Sequence, residues 1–515
     1  MRIREYSHGF ECTFDSVNEI NTAKRFTDKF LTQYEFVKDP RTGTSTREAK
    51  EEFACWGPNN LTLGLTSLLQ EKFIRFMLAA EHNLMAHTVE PLYMPAKFRC
   101  KVDPKFLPRG QQPEAVDYIL EDEKIRTAHA ATGFGKTLSS FFVMEQLGVR
   151  TAGVMSATHM ATWVSGAKEY MHMTPNNLML IQGSAALKAA IQMSQMNMLE
   201  VDLILFSAET IRGFLKAWEE RDVEPFDYGC SPYELWKVLK VGFVIGDEAH
   251  EQIHNRFRMT AYTHAPKVLY LSATLICDDP FINLMYRHIF GAEEDIWESD
   301  NNKHIAVRPL FYQLDKDLLY NRKFKHNGPR GYSHIEFEKS VMRNKKLTNQ
   351  YFRFIKATID SALYDKNFVE GMKGFVMFAS IKMGEAFQKY LKEQYPNRTI
   401  GLFVGGSAKA ELYERDIVIG TPRSIGTGKD VPGLKALIQT VAVNSSQLNL
   451  QIMGRLRPVK INGVLIAVDP LYVYLNCEQI KQHKIYHQHR LAHVAEKCKD
   501  IKVIRHHFKL GSELY

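Results

Sequence analysis

The chain has 515 residues, 45 % hydrophobic and 24 % charged, with a formal net charge of +8. That length exceeds what one hydrophobic core supports, so roughly three domains are expected. No apolar run approaches the ~18 residues that span a bilayer, which argues against a membrane protein. The opening stretch "MRIREYSHGFECTF" lacks an apolar leader, and the seven cysteines are scattered and never arranged as CxxC. A reducing compartment without disulfides, the cytoplasm, is the expectation. The positive charge permits a polyanionic partner without demanding one.

Residues 1 to about 100 begin with a short alternating strand, "EYSHGFECTF", and an amphipathic helix, "VNEINTAKRFTDKFL". A polar Gly/Thr loop and the segment "CWGPNNLTLGLTSLLQEKFIRFML" follow. "KIRTAHA" then reads as a buried strand and "KTLSSFFVMEQL" as a helix with apolar Leu138, Phe141, Phe142 and Leu147. Between them, Ala130 to Thr137 fit a phosphate-binding loop: a small residue, four positions that include Thr132 and Gly133, then Gly135, Lys136 and Thr137. Glycines let backbone N–H groups approach phosphates, the lysine reaches the β and γ phosphates, and the hydroxyl holds magnesium.

"VGFVIGDEAH" supplies the acidic pair such a loop needs. Val241 to Ile245 form an apolar strand, with Asp247, Glu248 and His250 at its carboxyl end, the edge where ligands bind in open parallel sheets. Asp247 would support the magnesium and Glu248 would orient and deprotonate the attacking water.

Further apolar runs at 374–380, 399–406, 415–421, 436–443 and 463–470, some separated by helical stretches, carry the alternating pattern of a second parallel sheet. "YNRKFKHNGPRGY" gathers Arg322, Lys323 and Lys325 among Tyr320, Phe324 and Tyr332 without an acid, a composition suited to phosphates and base stacking and equally to a solvated loop. Near the end, His483 and His487, then His489 and His493, stand one helical turn apart. Without paired cysteines or a carboxylate, a basic helix packed on the second sheet is favoured over a zinc site.

The order of these motifs resembles the superfamily 2 helicases and translocases with a DEAH-type acid box. The resemblance implies two RecA-like parallel-sheet lobes (α/β), at 101–300 and 301–478. A small α+β N-terminal domain at 1–100 would grip the substrate, and a basic helical extension would occupy 479–515. It also implies roles for further residues. Gln112 matches the adenine-sensing glutamine, although Gly110 and Gln111 replace the usual proline and aromatic. Ser156 and Thr158 in "GVMSATHMATWV", and Ser207 and Thr210 in "LILFSAETI", correspond to strand contacts. Ser272 and Thr274 in "KVLYLSATL", with His250, correspond to coupling residues. In "GTPRSIGTGKDVPGL", Thr421 would contact nucleic acid, and Gly428 and Asp430 the lobe interface and the nucleotide. "QIMGRLRP" resembles the last motif, with Gln451, Arg455 and Arg457. The family spaces its second arginine one residue further, where Pro458 stands, so Arg457 is expected to be the arginine finger on a reshaped helix start and Arg455 its companion. The layout of residues 1–100, with Trp56-Gly57, is similar to phage recombination helicases of the UvsW type.

Together these features imply a monomeric ATP- and Mg²⁺-dependent motor acting on nucleic acid, branched or duplex DNA in particular. A DEAH-type RNA remodeller, a duplex translocase and an inactive scaffold are the alternatives. Retention of Lys136 and Glu248 argues against the last.

Overall fold

The computed structural model describes residues 1–38, 45–130, 133–273, 275, 277–299, 303–329, 331–408, 410–426 and 431–512. Two compact units emerge. The first holds Met1–Ala130, Phe134–Leu275 and Asp279–Ser299, and the second holds the remainder of the described chain.

The first unit contains a five-stranded sheet, a seven-stranded sheet and a separate two-stranded hairpin. Five strands near the N-terminus run in the order Cys55–Trp56, Thr62–Thr66, Gly9–Thr13, Arg2–Glu5 and Ala86–Val89, antiparallel except for the last pair. The helix Val17–Phe30 starts where the Ser16 hydroxyl accepts the Glu19 N–H, and buries Phe26 edge-on against Phe73 and Phe76. The Gly/Thr stretch of the expected polar loop lies outside the described residues, and the chain on either side of it forms an antiparallel hairpin, Thr32–Lys38 with Ser45–Glu52. Nearly every residue of its second strand is exposed, so no one-sided apolar alternation marks it in the sequence.

The boundary expected near residue 100 separates two sheets within one compact unit. The helix Ile253–Tyr262 lies against the N-terminal sheet so closely that a Cβ on Gly9 would stand 2.6 Å from the Thr260 carbonyl oxygen. Phe53 packs edge-on to Phe257 at 5.5 Å, and His254 Nε2 meets the Glu52 carbonyl at 2.7 Å. The second sheet of this unit is wholly parallel. Its strands are ordered Leu178–Ile181, Leu203–Ser207, Thr151–Met155, Phe243–Gly246, Lys267–Ser272, Ile125–His129 and Trp297–Glu298. Phe141, Trp163, Leu205, Ile245 and Leu269 belong to its core. "KIRTAHA" and "KTLSSFFVMEQL" form the strand Ile125–His129 and the helix Lys136–Leu147, as their periodicity indicates.

The second unit is built on another parallel sheet, ordered Ile400–Phe403, Ile417–Gly420, Lys373–Met377, Leu434–Gln439, Leu471–Cys477 and Ala306–Leu314. Asp500–Ile501 and Ile504–Leu510 both pair with Ala306–Leu314. Four of the five apolar runs named above lie in this sheet. The fifth, 463–470, does not: Val464–Leu465 makes a small hairpin with Lys460–Ile461 and leaves Val464 63 % exposed. The reason is local, because Asn462 and Gly463 both take positive φ, 49° and 82°, as a two-residue hairpin turn requires. The buried strand comes next, at Leu471–Cys477. The C-terminal extension is helical over Lys481–Val494 and then returns to the sheet edge as strand. No helix among the described residues is long and apolar enough to cross a membrane.

Candidate active site

In the first unit, the phosphate-loop helix and the acid box start from the carboxyl ends of parallel strands. Gly133 and Gly135 adopt φ of 86° and 94°, a region that favours glycine. A Cβ on Gly135 would stand 2.4 Å from Gln112 Nε2, so the loop passes directly over that amide. Gln112 is fully buried; its Oε1 accepts the Arg109 N–H at 3.0 Å and its Nε2 donates to the Phe134 carbonyl at 2.7 Å. Here the Gln112 amide braces the loop from behind. Lys136 and Thr137 open the helix that follows.

Across from them, Lys136 Nζ pairs with Glu248 Oε1 at 3.3 Å. Asp247 is buried, with Oδ2 accepting from Trp163 Nε1 at 2.8 Å and Oδ1 from the Glu248 N–H at 2.9 Å. Glu248 takes φ of 45°, an uncommon backbone state for a side chain with a Cβ, and one that clusters at functional sites. Burial raises the Glu248 pKa, but Lys136 and the imidazoles of His250 and His159 outweigh it, so the carboxyl titrates below its ordinary range. His250 is buried and neutral, its pKa pushed down to about 4 by desolvation against the opposing pull of Glu248. Its Nδ1 shares a 2.8 Å hydrogen bond with Ser272 Oγ. The turn is stapled to the neighbouring strand by the Ala249 N–H on the Leu271 carbonyl at 2.9 Å.

Lys136, Thr137, Asp247, Glu248, His250 and Ser272 are thus gathered at one sheet edge. Two residues that hold them were not foreseen. Trp163, on the helix Ala157–Met171, fixes Asp247 from 84 positions away in sequence. Arg256 is buried beneath the acid box, and its Nη2 donates to the Val154 carbonyl at 3.1 Å and the Asp247 carbonyl at 2.9 Å. Neither carries a local sequence signal; each reveals itself only when the strands are stacked.

Of the expected strand contacts, Ser156 and Thr158 stand at the N-terminus of the helix that carries Trp163. Thr158 is exposed and Ser156 half-buried, and their hydroxyls are 3.0 Å apart. Ser156 Oγ also meets His159 Nδ1 at 3.0 Å. Ser207 and Thr210 differ. Both are buried; their hydroxyls bond one another at 2.8 Å, and Thr210 Oγ1 accepts the Gly183 N–H at 2.8 Å. Ser207 caps the helix that holds Thr210 in its first turn, and both hydroxyls are engaged within the fold.

In the second unit, Thr421 is half-buried, its N–H donating to Ser424 Oγ at 3.0 Å. Gln451 lies on the helix Ser446–Met453. Arg455 and Arg457 were expected at a helix start but leave its C-terminal end in a turn, where Arg457 Nη1 donates to the Gly454 carbonyl at 2.6 Å. The partial negative charge of a helix C-terminus suits cations there. Arg322, Lys323 and Lys325 are all exposed. Thr132, Thr274, Gly428 and Asp430 lie outside the described residues. Among the described residues no three His, Cys, Asp or Glu side chains are grouped so as to hold a metal ion.

No protein-family model matches the chain, and no curated protein matches it. Similar solved structures include the crystal structure of T4 UvsW, 15 % identical over 98 % of this chain and 100 % of that one, with a TM-score of 0.35. Another is the fragment structure of a putative HsdR subunit of a type I restriction enzyme from Vibrio vulnificus YJ016. It is 13 % identical over 94 % of this chain and 82 % of that one, with a TM-score of 0.49.

Proposed function

We propose that the chain is an ATP hydrolase that requires magnesium and works as a motor on nucleic acid, with branched or duplex DNA as its substrate. The observation that carries this reading is the Lys136–Glu248 pair at 3.3 Å at the carboxyl edge of a parallel sheet, with a glycine loop on one side and Asp247 on the other. Lys136 would leave Glu248 for the β and γ phosphates of bound ATP. Without the lysine's charge the buried Glu248 carboxyl gains proton affinity and can take a proton from the attacking water. Thr137 and Asp247 would hold magnesium, whose contribution is to neutralise charge on the phosphate oxygens. Arg457 would supply the second unit's cation to the γ-phosphoryl group, with Arg455 and Gln451 beside it.

Ser156 and Thr158 offer hydroxyls, and the helix start they occupy offers N–H groups, to a nucleic-acid phosphate. Two turns further along the same helix, Trp163 holds Asp247, which supplies a physical route from strand binding to the magnesium ligand. Thr421, Arg322, Lys323 and Lys325 are the corresponding contacts of the second unit. On this reading the N-terminal domain, residues 1–100, grips the substrate.

Magnesium-dependent ATPase rates measured with forked, four-way, duplex and single-stranded DNA and with RNA test the reading. Stimulation is expected to be largest with branched DNA. Stimulation by RNA alone would make the chain an RNA remodeller, and absence of hydrolysis with every ligand would sink the motor reading.

A further inference from the structure

The segment Leu318 to Tyr332 contains no acidic residue, and its Arg322, Lys323 and Lys325 are exposed beside Tyr320, whose ring is 80 % accessible. This stretch is anchored rather than loose. Phe324 packs edge-on to Phe337 at 5.5 Å, and the Lys325 N–H and carbonyl both bond the Ser340 hydroxyl, at 2.9 and 2.8 Å. Its far end is tied to the tail helix Lys481–Val494. The Tyr332 hydroxyl meets His483 Nε2 at 2.5 Å and His334 Nδ1 at 2.7 Å. His483 Nδ1 accepts the Cys477 N–H at 2.9 Å, so Nε2 carries the proton and donates to Tyr332, whose own hydrogen turns to His334. Full burial keeps His483 neutral, so this joint is a hydrogen-bonded tie.

One consequence is that the tail helix starts where the basic stretch ends. Lys481 and Lys484 are exposed on either side of buried His483, and the helix carries no acidic residue. Two carboxylates nearby are engaged: Glu336 pairs with Lys339 at 2.6 Å, and Glu478 faces Arg505 at 3.7 Å and accepts from Gln313.

We infer that the basic stretch and the first two turns of the tail helix form one continuous surface for a single strand of nucleic acid, with Lys481 and Lys484 extending the phosphate contacts of Arg322, Lys323 and Lys325. Tyr320 stacks on a base. The inference rests on the motor reading and adds to it a strand type and two lysines. An exposed ring among cations suits a single strand, because the bases of a duplex are already stacked on one another. The same helix reaches toward the arginines. His489 Nδ1 meets Asn444 Oδ1 at 3.1 Å and Arg490 Nη2 donates to the Val443 carbonyl at 3.4 Å, just ahead of the helix Ser446–Met453. The surface is therefore one helix removed from Arg455 and Arg457.

Fluorescence anisotropy of the full chain with labelled oligothymidylate and with a labelled duplex, over a series of potassium chloride concentrations, tests this. A K481A/K484A double variant should flatten the slope of log affinity against log salt for oligothymidylate by about 1.4, at about 0.7 per lost phosphate contact. Tyr320→Ala should weaken oligothymidylate binding about tenfold, keep the slope and leave duplex binding nearly unchanged. These side chains are exposed, and an unaltered thermal midpoint shows that each variant is folded. An unchanged slope in the folded double variant, or equal loss of both probes with Tyr320→Ala, overturns the surface while the motor reading stands. A wild-type chain that binds neither probe overturns both.

Discussion

In the first unit, Lys136, Asp247, Glu248 and His250 each have a fixed neighbour: Lys136 and Glu248 hold one another, Trp163 holds Asp247, and Ser272 holds His250. In the second unit, Arg455 and Arg457 leave a helix in a short turn, where Arg457 Nη1 donates to the carbonyl of Gly454, three residues back. The difference separates two tasks. On the proposed function, groups that bind a nucleotide and deprotonate water benefit from a rigid frame that exists before the substrate arrives. A cation needed only as charge develops can sit on a turn, aimed in part by a contact to its own backbone.

If that contrast is sound, the largest effect comes from removing the framed cation. Lys136→Ala should abolish hydrolysis, since it removes the charge that meets the phosphates, while nucleic-acid binding, which uses other groups, survives. Normal turnover in a phosphate-release assay would refute the phosphate-loop assignment. Glu248→Gln keeps the shape but not the base, and should lower turnover by up to roughly 10⁴-fold while nucleotide binding by calorimetry persists. Weak binding in that variant would contradict the role given to Glu248.

The second unit should respond less and differently. Arg457→Ala is expected to lower kcat by roughly 10³-fold with little change in nucleotide affinity, because the guanidinium acts mainly on the transition state. Arg455→Ala should cost less in turnover and more in stimulation by nucleic acid. Single-turnover hydrolysis decides between them: if Arg455→Ala is the dead enzyme, the shifted spacing has exchanged the two roles.

What the sequence reveals follows the same division. That Lys136, Asp247 and Glu248 come together is legible because the spacing a phosphate loop and an acid box call for places each within a few positions of a strand end. Trp163 and Arg256 are not, since they act on the acid box from other elements and their neighbours, "ATWVSG" and "NRFRMT", look like ordinary helix. Ser207 and Thr210 are ambiguous for a related reason. A serine three residues before a threonine after a strand matches a phosphate contact and a helix cap alike, and the burial of both hydroxyls is invisible in the sequence. In the second sheet, strand Leu471–Cys477 is obscured by the more apolar run before it, which the Asn462-Gly463 turn diverts into an exposed hairpin.

The smallest expected effect is also the sharpest test of the frame. Trp163 is 1 % exposed, packs edge-on to Phe141 at 5.7 Å and gives its N–H to Asp247 Oδ2 at 2.8 Å. Trp163→Phe keeps an aromatic ring against Phe141 and removes only that donor and part of the ring. A hydrogen bond to a charged group contributes about 1.5 kcal/mol at the lower end, or about tenfold in an equilibrium constant. The loss should appear in the magnesium dependence, because Asp247 is the group set loose: half-saturating magnesium should rise about tenfold, and turnover at saturating magnesium should recover most of the wild-type rate. Stimulation by nucleic acid should fall as well, since the helix that carries Trp163 begins at Ser156. If magnesium dependence and stimulation are both unchanged in a folded Trp163→Phe protein, Asp247 does not need this neighbour, and the first unit is no more rigidly prepared than the arginine turn.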